Sequence, residues 1–163
     1  MLDIGPAERR RMWLVGVRDG ATIALLYAAA HPDGLAGAAI IAPQLFPEAT
    51  HSAQLLRVRA AFETTDLRER LARYHDEDDD TADPASLVDW NIEDELHRLR
   101  CPLLAIRGFP GDEYSAATHI DALKRHAAGA TPLETPARQD ADSVSLNRTI
   151  VRFINRCTPL SQN

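Results

Sequence analysis

The sequence is poor in cysteine, has no long apolar run and shows no excess of basic residues. Each shortage closes off a class of protein. Two cysteines in 163 residues, Cys101 and Cys157, do not make a disulfide framework. Neither lies in a C-x-x-C pair or beside a histidine cluster, so no metal site is expected of them. No apolar run reaches the ~18 residues that a membrane-spanning helix needs. The opening "MLDIGPAERRRMW" lacks the apolar centre of a secretory signal, which leaves the cytoplasm as the default expectation. The formal net charge is −6. That excludes the basic face of a nucleic-acid binder and gives no attraction to an anionic membrane surface. There is no P-loop, and "GVRDG" has the wrong spacing for a dinucleotide fingerprint, so no cofactor is expected.

What is present is ordinary globular composition, 45% apolar and 26% charged, in a length that suits one domain over 1–163. "MWLVG", 12–16, reads as a strand buried on both faces, of the parallel-sheet kind. Ala21–Ala30, rich in Ala and Leu, reads as a helix buried around much of its girth and ended by "HPDG". "LAGAAIIAP", 35–43, is the next strand. Residues 51–74 are helical in period, with a break near Thr64–Asp66 where Asp66 suits an N-cap. "HDEDDDTADP", 75–84, is an acidic loop, and 87–99 carries a short helix. "CPLLAIRG", 101–108, is a third strand, Ser115–Ala128 a helix, "TPLET", 131–135, a weak fourth strand, and Ser143–Asn155 a closing helix. Strands alternating with helices imply an α/β layer structure: a short, mainly parallel sheet of about four strands with flanking helices.

The order of these segments resembles the α/β-hydrolase fold. "WLVGVRDGATIALLYAAAHPDGLAGAAIIAP" resembles its strand–elbow–helix–strand core, and "AAFETTDLRERLARYH" its cap helices. "DWNIEDELHRLRCPLLAIRGFPGDEYS" resembles the strand and loop that carry the family's acidic triad member. The resemblance covers nearly the whole chain but only the C-terminal half of the family's fold. It implies a truncated α/β-hydrolase-like domain with a cap-like helical insertion over 51–99.

The resemblance also implies where catalytic groups should stand. In G-x-S-x-G a serine sits on a strained turn between strand and helix, beside helix amides that hold an oxyanion. Gly16 and Gly20 keep the glycine positions, but the centre is Arg18. A guanidinium stays protonated and is no nucleophile. Asp19 follows one place late for an aspartate nucleophile. Asp112 matches the acid position, but the residues favour reading it as a loop carboxylate capping the helix near Ser115. The family's histidine has no counterpart after His126; only a misaligned His119 or His126 is left. Loss of nucleophile or base alone removes most of the rate enhancement.

Other groups carry less. The six histidines show no metal-protease spacing, and His31 precedes Pro32 at a helix end, where a cation suits the dipole. "HDEDDD" fails the EF-hand pattern and reads as solvated. Ser115 and Ser143 read as N-caps and Cys101 as a small core residue.

Two hypotheses of function follow. The first is a catalytically degenerate domain working by self-association, partner binding or small-ligand binding. The strand at Met12, Trp13, Leu14 and Val15 becomes an edge with the chemistry of a central strand, an arrangement soluble proteins avoid leaving open. A homodimer joining two half-sheets across a two-fold axis, or a partner chain completing the sheet, would cover it. Arg18, with Asp19 beside it, would face the crevice at the strand ends and suit a small anionic ligand. The second is an active hydrolase of small esters or amides with a rearranged or partner-completed site around Asp112 and a histidine.

Overall fold

The computed structural model describes residues 4–66, 69–70, 90–108, 117–131, 133–134 and 143–158. After a one-turn helix α1 (Pro6–Arg9) come β1 (Trp13–Val17), α2 (Asp19–Ala30), β2 (Gly37–Ile41) and α3 (Ala49–Thr64). A 3-10 helix (Glu93–Arg98), β3 (Leu103–Ile106), α4 (Ala117–His126), β4 (Leu133–Glu134) and α5 (Ser143–Cys157) follow. The chain divides into two units, one formed by 1–45 with 92–163 and the other by 46–91. The sheet belongs wholly to the first.

The sheet is parallel throughout, in the order β1-β2-β3-β4, so β1 is an edge strand. Trp13 pairs with Gly37 and Val17 with Ile41; Ala38 pairs with Leu103 and Ile41 with Ile106. Strand residues alternate between faces. On one face Ala39, Ile41, Leu104 and Ile106 form a core with Phe153 and Ile150 of α5. Trp13 joins it: its ring lies where a Cβ on Gly37 would stand, edge-on to Phe153 at 5.8 Å, and its Nε1 donates to Thr158 Oγ1 at 3.1 Å. On the other face Gly16 lets α2 down onto β1, because a Cβ there would come within 2.2 Å of the Gly20 carbonyl oxygen. The 3-10 helix packs against both α2 and α4.

The segments expected from sequence are found, with different ends. The helix in 87–99 is 3-10, and Ser143 is itself the first residue of α5 rather than the residue before it. In the second unit α3 ends at Thr64, where Thr64 and Thr65 turn their hydroxyls back onto the carbonyls of Ala60 and Ala61. Helical bonding resumes with the Arg70 amide donating to the Asp66 carbonyl at 3.1 Å. Ser115, the loop 75–84 and Asp112 lie outside the described residues.

Candidate active site: the elbow between β1 and α2

The turn between β1 and α2 has φ 53° and ψ −118° at Arg18. An L residue rarely takes that conformation, which costs on the order of 1–3 kcal/mol and persists only where its surroundings impose it. They do so here. The Arg18 amide donates to the Ile41 carbonyl at 2.9 Å, continuing the β1–β2 ladder past the strand end. Its carbonyl accepts from Ala21 N at 2.8 Å and Thr22 N at 3.1 Å, closing the first turn of α2. Thr22 Oγ1 donates to the Gln44 carbonyl at 2.7 Å, tying that turn to the loop after β2. The strand–elbow–helix geometry is thus retained around an arginine. Arg18 is exposed, as is Asp19 in the first turn of α2, where a carboxylate suits the helix dipole.

A second residue with positive φ, Ala42 at 50°, ends β2, its amide donating to the Ile106 carbonyl at 2.9 Å. Nothing in the sequence marks it. Three residues later the buried Leu45 amide donates to Nδ1 of His119 at 3.3 Å. His119, on α4, is 1% exposed. With Nδ1 accepting, the neutral ring carries its proton on Nε2. His119 is therefore a structural partner of the loop beside the elbow. The sequence offers a hint in its place on the apolar stripe of α4 with Ile120 and Leu123, but not in its pairing across 74 residues. His126 is half-exposed, its Nε2 3.7 Å from Glu93 Oε1. His31 caps α2, its amide on the Tyr27 carbonyl and its ring 4.5 Å from the Tyr27 ring.

Neither thiol is activated. Burial pushes the Cys101 thiol up, only partly offset by a backbone hydrogen bond. Burial also raises Cys157, against the opposing pull of Arg156. Among the described residues no group of three or more His, Cys, Asp or Glu stands close enough to hold a metal ion.

The proposed interface residues separate on inspection. Met12 turns its carbonyl to Ala36 N at 2.9 Å, and Trp13 is folded inward under α5. Leu14 is half-buried on the α2 side, whereas Val15 is 57% exposed. Val17, which the sequence reading did not single out, is 51% exposed. On α2, Ile23 and Leu26 are exposed as well. No described helix is long and apolar enough to cross a membrane.

No protein-family model and no curated protein matches the sequence. Solved structures do match. A hydrolase from Pseudomonas aeruginosa aligns with TM-score 0.57 and 18% identity over 93% of this chain and 66% of its own. A hydrolase from Oleispira antarctica aligns with TM-score 0.62 and 12% identity, covering 91% and 67%. An alpha/beta fold family hydrolase from Bacillus anthracis aligns with TM-score 0.53 and 13% identity, covering 91% and 68%. The chain thus spans about two thirds of the length of the proteins it resembles. A parallel sheet with a strained elbow between β1 and α2, superposing on these structures, is the α/β-hydrolase fold in truncated form.

Proposed function

We propose that the chain is a catalytically degenerate α/β-hydrolase-fold protein that works by association through the face around β1. The observation that carries this reading is Arg18 at the apex of the elbow, φ 53° and ψ −118°, where the resembling enzymes place a nucleophile. Arginine offers no nucleophilic atom at working pH. Support for association comes from the apolar residues left open beside the edge, Val15 and Val17 on β1 and Ile23 and Leu26 on α2. Patches of this kind mark interaction surfaces. In this reading Arg18, with the amides at the start of α2, is the position for a small anionic ligand. The helical segment 51–99 is proposed as a cap-like insertion, and the cytoplasm as the location.

The competing reading, a rearranged hydrolase around Asp112, needs a free base. His119 is buried with Nδ1 committed to Leu45, which counts against it. The test is turnover of short-chain p-nitrophenyl esters by the purified chain and by Asp112→Asn. The expected result is no hydrolysis above buffer in either. Turnover by the parent chain that falls in Asp112→Asn would establish the hydrolase instead.

A further inference from the structure

Among the described residues β1 is paired along one side only, and its other side is self-complementary. The carbonyl of Met12 and the amide of Arg18 both point to β2. In a parallel ladder the direction alternates from residue to residue, so Leu14 and Gly16 also bond to β2. Trp13, Val15 and Val17 therefore direct their amides and carbonyls outward. These three residues are symmetric about Val15. An antiparallel strand of the same sequence, set with Val15 opposite Val15 and Trp13 opposite Val17, meets every outward amide and carbonyl with a partner. No lysine, proline or bulge blunts this edge, the usual devices against pairing.

The side chains follow the same symmetry. Val15 lies on the face where Trp13 meets α5, and in this register each exposed Val15 covers its symmetry mate while Val17 lies against Trp13 of the second copy. On the other face α2 lies over β1 and β2. Thr22 points to Gln44 on the β2 side, so Gly20, two residues away and ~200° round the helix, lies toward the open edge. Gly20 has nothing within 4 Å of its Cβ direction.

We propose that the occupant of this edge is a second copy of the chain, with the two β1 strands antiparallel about a two-fold axis at Val15 and the two sheets joined into one. This rests on the association reading above and names its partner. The test is the mass of the full chain in solution by light scattering across a dilution series, combined with cross-linking of an introduced cysteine in a Cys157→Ser background that keeps only the buried Cys101. Hydrogen-bonded antiparallel pairs place Cα atoms about 5.5 Å apart, inside the span a disulfide bridges. Val15→Cys should oxidise to a covalent dimer, and Leu14→Cys should not. Val15→Lys, a substitution that edge strands tolerate, should keep the far-ultraviolet circular dichroism of the fold and weaken dimerisation by roughly 30-fold or more. A monomer at micromolar concentration overturns the proposal, as does a dimer in which Val15→Cys fails to cross-link. Either result leaves the loss of hydrolysis to be judged separately, by the ester assay on the same samples.

Discussion

β1 and β2 are neighbours with similar composition, "WLVGV" and "GAAII", and they end in different environments. All of β2 is buried, while β1 leaves Val15 and Val17 more than half exposed. Nothing in the two pentapeptides accounts for this. β2 lies between β1 and β3 and contributes Ala39 and Ile41 to the core against α5; among the described residues β1 has a neighbour on one side only. The difference teaches that the apolar character of β1 is that of a strand built to be covered. Within the described residues its cover is Trp13 folded over Gly37 on one face and α2 seated on Gly16 on the other.

Substitutions can break or sharpen that comparison. The largest effect is expected at Gly16. A methyl group there would stand 2.2 Å from the Gly20 carbonyl oxygen and 2.7 Å from Ala21 N, all backbone, so α2 must lift off β1. Gly16→Ala should cost about 3 kcal/mol or more, read as a loss of cooperative thermal unfolding near the parent midpoint. Next comes the paired comparison itself. Ile41→Ala, in the closed core of β2, should cost about 2–5 kcal/mol. Val17→Ala on the edge should cost within about 0.5 kcal/mol in dilute solution, measured by urea unfolding. If a second copy covers β1, that gap narrows as protein concentration rises.

A smaller effect follows from pH. Both thiols have pKa values raised by burial in the fold. The folded state therefore holds these protons more tightly than the unfolded chain. The resulting stability is fully present below about pH 8.5, the ordinary cysteine value, and is lost as pH rises through the raised values. Unfolding midpoints measured from neutral to alkaline pH should fall in the parent, and fall less in a Cys101→Ala, Cys157→Ala double variant. An effect of opposite sign is expected at Gly20. Its Cβ direction is open and it lies in the first turn of α2, so Gly20→Ala should stabilise the monomer by about 0.5–1 kcal/mol. The two glycines of one motif thus respond in opposite directions, because only one of them is in contact with backbone.

The order of strands and helices was legible from local patterns. Apolar runs bounded by charge and glycine marked β1, β2 and β3, and the spacing of Val144, Ile150, Val151 and Ile154 marked α5, although its core residue Phe153 was not picked out and Val144 and Val151 are exposed. Arg18 was legible as the replacement at the elbow because Gly16 and Gly20 frame it. The supports of that elbow were not legible. Thr22 reaches Gln44, and His119 on α4 serves Leu45, through contacts between distant parts of the chain. The inward turn of the Trp13 ring toward Phe153 and Thr158, and the exposure of Val17, were not legible either, because both depend on where α5 packs.

The sequence by itself determined the elements, the parallel character of the sheet and the arginine between the two elbow glycines, because these depend on residue type and on periodicities of two and 3.6. Only the tertiary structure decided that β1 lies at the edge, which of its residues face outward and that Arg18 is held with φ 53°. Those depend on which distant segments supply the neighbouring strand, the covering helix and the hydrogen-bond partners, and no local pattern carries that information.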